Sequence, residues 1–209
     1  MADLAALTAA IEAGDRTSAV RLTQAAVDER ADPETVLAAM TTAMDTVGGM
    51  FQRNEIFVPE MLISARAMKE AMAILEPALT ASGIRPEHTA VIGTIKGDLH
   101  DIGKNLVGMM WKGANFKVVD LGTNVTAARF VEAAIEHDAH LVGISALLTT
   151  TMVGMKEAVD AIRSAGLSTV KVIVGGAPVT AEYATSIGAD GYAPDAASAV
   201  EVAKCLLAD

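Results

Sequence analysis

The residues with the clearest chemical potential sit in the stretch IKGDLHDIGKNLVG, 95–108, where Asp98, His100 and Asp101 follow directly on an apolar run. Two readings are open. In the first, Asp101 caps a helix that starts just after it, and His100 is an ordinary loop residue. In the second, Asp98 accepts a hydrogen bond from one imidazole nitrogen of His100, fixes the tautomer and leaves the other nitrogen as a ligand. Gly97 and Gly103 give the segment room to turn. Two other stretches are unusual in the same way. SALLTTT, 145–151, offers the hydroxyls of Ser145, Thr149, Thr150 and Thr151, and Gly175-Gly176 lacks any Cβ, so backbone there can approach a bulky group closely.

The elements around these segments explain how they could meet. Residues 1–82 follow a helical period, with Leu4, Leu7 and Ile11 on one face, then a segment capped by Asp15 and running to about Arg30. Asp32 at N-cap and Pro33 at the first helical position start a third helix, striped by Leu37, Met40, Met44, Val47 and Phe51. Pro59 opens a fourth, striped by Met61, Ala65, Met68, Met72 and Leu75. Four amphipathic helices with short loops predict a small bundle. ASGIRPEH, 81–88, reads as a linker, so the expected division is a helical domain over 1–82, a linker over 83–88 and a second domain over 89–209.

Beyond the linker, short β-branched runs alternate with helical stretches. The runs are TAVIGTI (89–95), FKVVDL (116–121), HLVGIS (140–145), VKVIVG (170–175) and ADGY (189–192). This alternation predicts a parallel five-stranded sheet, doubly wound with helices on both faces, in the flavodoxin-like (Rossmann-like) manner. In a sheet of order 2-1-3-4-5 the binding crevice opens at the carboxyl edge between strands 1 and 3. The Asp98–Gly103 segment follows strand 1, SALLTTT follows strand 3 and Gly175-Gly176 follows strand 4. All three are therefore expected at one pocket.

Composition narrows the ligand. The 209 residues are 52% hydrophobic but only 3% aromatic, so the cores are expected to be aliphatic, with 11 methionines as adaptable filler. A net charge of −10 argues against nucleic acid or an anionic membrane surface as partner. The lone Cys205 excludes an intramolecular disulfide and any multi-cysteine metal site, and is expected as a buried, inert thiol in the last helix. No signal-peptide pattern and no membrane-length apolar run is found, so a cytoplasmic protein is expected. His137 and His140 are expected as polar ends of a helix-to-strand turn, His88 in the linker, and Trp111 as packing for the first crossover helix. The crevice segments lack both the G-x-G-x-x-G cradle and the Walker lysine pattern. A metal bound through one histidine needs its other ligands from elsewhere, and a corrin ring leaves one axial position for protein.

Asp98-x-His100-x-x-Gly103, then Ser145-x-Leu147, then Gly175-Gly176 resembles the cobalamin-binding signature of the methionine synthase and corrinoid methyltransferase family. MFQRNEIFVPEMLISARAMKEAM, 50–72, is similar to the helical cap that precedes the cobalamin domain in those proteins. The resemblance implies a base-off corrinoid, cobalamin or a relative, with His100 as the lower axial ligand of cobalt and Asp98 as its partner. Thr151 stands where methionine synthases carry a serine that completes the relay. Asp101, Gly103, Ser145, Leu147, Thr149, Gly175 and Gly176 would bind the cofactor and its nucleotide tail. Phe57, Val58, Met61 and Leu62 would be the apolar shield on the cap. Methylcobalamin would keep the lower ligand and cob(I)alamin would lose it, which couples ligation to protonation of the His100–Asp98 pair.

With cap and cobalamin domain using up the chain, the resemblance implies a methyl carrier rather than a complete enzyme. Its expected partners are a substrate-specific barrel methyltransferase, an acceptor methyltransferase using tetrahydrofolate or a thiol, and a reductive activator. Two alternatives share the layout. Cobalamin-based light or stress sensors carry a characteristic Trp and a Glu-His pair in their bundle, whereas residues 1–82 contain neither Trp nor His. Cobalamin subunits of carbon-skeleton mutases typically lack the FVPEMLISARAMK cap segment.

Overall fold

The computed structural model describes residues 2–208, which divide into two compact units. The first comprises the chain up to Pro86 together with Lys112–Asn115. Its helices are α1 (Leu4–Glu12), α2 (Arg16–Asp28), α3 (Pro33–Gln52) and α4 (Val58–Ala81). The first three start as short polar caps dictate: Asp3, Asp15 and Asp32 accept from the backbone N–H groups of Ala6, Ser18 and Thr35. α4 starts differently. Phe57 occupies the cap position and the Glu60 carboxylate reaches back to its N–H at 3.1 Å. Gly14, at φ +68°, makes the turn between α1 and α2, and the side chain of Ile63 fills the space a Cβ would need there. The buried positions repeat at helical spacing, from Val36, Met40, Ala43 and Val47 in α3 to Met61, Ala65, Met68 and Leu75 in α4.

The second unit holds the sheet. Its elements are β1 (Thr89–Thr94), α5 (Ile102–Gly113), β2 (Lys117–Asp120), α6 (Ala127–Glu136), β3 (Leu141–Ser145), α7 (Thr149–Ser164), β4 (Lys171–Gly175), α8 (Ala181–Ser186), β5 (Gly191–Ala193) and α9 (Ala196–Leu207). The strands are parallel in the order β2-β1-β3-β4-β5, the flavodoxin-like arrangement. Register aligns Thr94 with Ser145 and Ser145 with Gly175, so β1, β3 and β4 end level at the carboxyl edge. Two strand glycines let large rings lie against the sheet. Phe130 of α6 packs on Gly93 and Trp111 of α5 packs on Gly143, with Trp111 Nε1 donating to the Ala199 carbonyl of α9 at 3.0 Å.

Several expectations need correction. The last strand begins at Gly191 rather than Ala189, because Ala189 closes the turn after α8 through its N–H to the Ala184 carbonyl. Cys205 is exposed, not buried. The inward stripe of α9 is Ala196, Val200 and Ala203, and a residue two beyond Ala203 falls about 200° round the helix. His140 is more than a solvated end: its Nδ1 accepts from Thr89 N–H at 3.2 Å. The His88 carbonyl accepts from Lys117 N–H, which ties the last linker residue to the sheet. Among the described residues no helix is long and apolar enough to cross a membrane.

Candidate corrinoid site

The site is built where β1 runs out. Ile95 continues the strand by a bridge to Val125, and its carbonyl then accepts from Asp98 N–H at 3.1 Å across a tight turn. Gly97 sits in that turn at φ +85°, a conformation that an L side chain would strain. The turn delivers Asp98 into a fully buried position, while the His100 side chain stays 53% exposed beside it.

Asp98 joins two loops. Its Oδ1 accepts from His100 N–H at 3.0 Å and lies 2.7 Å from His100 Nδ1. Its Oδ2 accepts from Leu147 N–H at 2.8 Å, from Leu148 N–H at 3.3 Å and from the Thr151 hydroxyl at 2.7 Å. Burial pushes the Asp98 carboxyl up, but the bonds from Leu147, from His100 and from Thr151 outweigh it and hold the group well below the usual carboxylate range. Asp98 is therefore an anion. An anion so placed selects the Nδ1–H tautomer of His100 and leaves Nε2 as the nitrogen with a lone pair to give.

The other sequence-derived residues fall into place unevenly. Ser145, Leu147 and Thr151 lie on the β3–α7 side of the same edge, and Thr149 is the exposed first residue of α7. Asp101 directs its carboxylate to the Asn105 side-chain amide at 3.0 Å rather than into the His100–Asp98 pair. Gly103 faces open space where a Cβ would stand. Gly176, at φ +125°, is demanded by protein rather than ligand, because the Ala146 carbonyl lies where its Cβ would go. Gly175 is similarly close to the Ala193 carbonyl, at 2.7 Å from an added Cβ. In the helical unit Phe57 is 64% exposed and Leu62 37%, whereas Met61 is buried.

Motif reading named Leu147 but missed the rest of an apolar collar. Leu99 and Ile102, which flank His100 and Asp101, are 72% and 77% exposed, and Leu147 and Leu148 across the crevice are also exposed. Large aliphatic side chains on a turn between acids were the available signal. Exposed aliphatic side chains on the two loops that Asp98 joins, one of which carries the half-exposed His100, make a surface of the kind that bulky apolar ligands cover. Among the described residues no group of three or more His, Cys, Asp or Glu could hold a metal ion. A metal ligated by His100 must bring most of its own ligands, and a corrin ring does so; the residues present fit that group.

Comparison with known proteins agrees. Two family models, both described as a B12 binding domain, match residues 4–76 and 88–201. A corrinoid protein of Desulfitobacterium hafniense strain Y51 is 42% identical over 206 residues, covering 96% of this chain and 95% of its own. Dimethylamine corrinoid protein 3 of Methanosarcina acetivorans is 42% identical over 177 residues, 84% of this chain and 83% of its own. Among solved structures, a cobalamin-binding protein from D. hafniense DCB-2 superposes with a TM-score of 0.85 at 30% identity, over 99% of this chain and 100% of that one. The methanol:cobalamin methyltransferase complex of Methanosarcina barkeri gives a TM-score of 0.86 at 28% identity, over 98% of this chain and 79% of that one. A helical B12-binding segment followed by a parallel sheet with this carboxyl-edge site makes the chain a member of the corrinoid protein family, built to bind cobalamin or a related corrinoid.

Proposed function

We propose that the chain is a methyl carrier that holds its corrinoid base-off with His100 as the lower cobalt ligand. A bound corrinoid would supply the chemistry, a nucleophilic cobalt able to accept a methyl group and pass it on. Everything else is done by the chain. Asp98 orients the imidazole through Nδ1. Leu99, Ile102, Leu147 and Leu148, exposed on the loops that Asp98 joins, would give a bound corrinoid apolar contact. With Nδ1 held by the Asp98 carboxylate, Nε2 is the ring nitrogen that would be left to meet the cobalt. Thr151 has one hydroxyl proton, and Asp98 competes for it with the Leu148 carbonyl at 3.0 Å. The anion is the stronger acceptor, so Thr151 serves as the third member of the relay.

The observation that carries this reading is the buried Asp98 carboxylate bonded to a half-exposed His100 ring. The partners proposed with it are a substrate:corrinoid methyltransferase, as in the methanol:cobalamin complex, an acceptor methyltransferase and a reductive activator. The exposed Phe57 and Leu62 are assigned to shielding, and the setting to the cytoplasm. The test is electron paramagnetic resonance of the full chain reconstituted with Co(II) cobalamin. Axial nitrogen coupling that responds to 15N-histidine labelling and vanishes in His100→Ala is the expected result. A spectrum indifferent to both changes overturns histidine ligation.

A further inference from the structure

The end of β2 and the loop after it carry no motif, yet together they tie down the stretch from Gly97 to Lys104 at both ends. At one end Lys104, in the first turn of α5, is buried with its Nζ 2.5 and 2.6 Å from the two carboxylate oxygens of Asp120 and 2.7 Å from Asn105 Oδ1. At the other end stands Asn124, with φ +57°. Its N–H donates to the Asp98 carbonyl at 3.0 Å, and its Oδ1 accepts from Gly97 N–H at 2.8 Å. One residue thus closes a two-point clamp on the Gly97–Asp98 backbone. The fully buried Thr94 adds a third tie, its hydroxyl donating to the His100 carbonyl at 3.1 Å.

These ties differ in kind from the Asp98 carboxylate. The carboxylate orients the ring relative to its own turn, whereas the clamp sets where that turn stands on the sheet. A ligand atom is useful only within a few tenths of an ångström of its place, and the groups supporting it are as consequential as the ligand. We infer that Asn124 is a positioning residue, which acts through the Gly97–Asp98 backbone to bias the chain toward histidine ligation of its bound corrinoid. The inference rests on His100 being the lower ligand.

Two substitutions separate clamp from turn. Asn124→Gly keeps the left-handed conformation and the N–H but removes the acceptor, and solvent can satisfy Gly97 N–H at this exposed position. Asn124→Asp keeps an acceptor oxygen and also tolerates that conformation. Both are reconstituted as full chains with Co(II) cobalamin, and the ratio of histidine-on to histidine-off signal is read beside the unsubstituted chain and His100→Ala. Asn124→Gly should lower that ratio about tenfold, the low end of what supporting groups cost a metal site. Asn124→Asp should restore it, with the unfolding temperature of both cofactor-free variants close to that of the unsubstituted chain. An unchanged ratio in Asn124→Gly, with nitrogen coupling still lost in His100→Ala, overturns the clamp and leaves histidine ligation standing. A loss in Asn124→Gly that Asn124→Asp does not reverse also overturns it, since turn conformation is then responsible. If the unsubstituted chain shows no coupling that depends on His100, histidine ligation itself fails and takes the inference with it.

Discussion

Asp98 carries two duties that a sequence shows only in half. Its pairing with His100 is legible because the residues are two apart, and a short turn brings them together. Its bonds to Leu147, Leu148 and Thr151 span 49 to 53 residues and depend on the register that sets β1 beside β3. Removing the charge therefore tests fold and site together. In Asp98→Asn one side-chain NH2 must face a buried donor, so the cofactor-free chain should lose about 3 kcal/mol in denaturant unfolding. Acid dependence has a definite sign. The Asp98 carboxyl titrates lower in the folded chain than the ordinary 3.8, so its contribution is complete above that value. As pH falls below about 3.8 the unfolded chain takes up the proton first and stability drops toward the folded value. Asp15 and Asp32, lowered by their cap bonds, act in the same direction. Asp98→Asn should consequently flatten the acid limb of a stability–pH curve without abolishing it; a limb of unchanged slope would contradict the assignment. For the relay, Thr151→Ser should preserve the histidine-on signal and Thr151→Val should weaken it, since only the first keeps a donor to Oδ2.

At the scale of elements, periodicity is enough to place strands and helices, because burial on both faces forces apolar runs into strands and apolar stripes onto helices. It fails where tertiary contacts decide. The weak fifth strand slides because its start depends on where α8 ends. Cys205 turns outward because alanine-rich α9 buries a different stripe. Asn124 is invisible in sequence, since nothing local marks that its Oδ1 meets Gly97, 27 residues away. Glycine makes the same point with opposite signs. A Cβ on Gly143 would lie 2.6 Å from the Trp111 ring, which is itself fully buried and cannot yield. Gly143→Ala should cost about 1–3 kcal/mol by overpacking. On Gly108, within α5, the nearest atoms to an added Cβ are 3.9 Å away, on Ile92 and Val118. Gly108→Ala should stabilise by about 0.5–1 kcal/mol through helix propensity. Thermal unfolding of both cofactor-free variants checks the pair, and equal shifts of the same sign would refute the packing account.

For the molecule as a whole, the change of period in the eighties marks where helical stripes give way to strand runs, but pattern does not show that Lys112–Asn115, at the end of α5, group with the helical unit. Nor does it show where the finished surface remains apolar. Leu99, Ile102, Leu147 and Leu148 look like core residues in a sequence, but they stand at the carboxyl edge where the sheet ends, and they stay exposed there. The cofactor-free chain thus presents an aliphatic collar to water, and a net charge of −10 opposes association through it. Ligand binding should reverse that exposure. At a free corrinoid concentration 100 times the dissociation constant, linkage adds about 2.7 kcal/mol to stability. Ile102→Ser, at the most exposed of these positions, removes apolar contact without touching His100 or Asp98. It should leave the cofactor-free unfolding temperature nearly unchanged and shrink the rise that cobalamin produces, because the collar's contribution exists only when it is covered. A hydrophobic dye should bind the cofactor-free chain, be displaced by cobalamin, and bind Ile102→Ser less. Dye binding that cobalamin leaves intact would place the exposed apolar surface elsewhere and detach the collar from the corrinoid site.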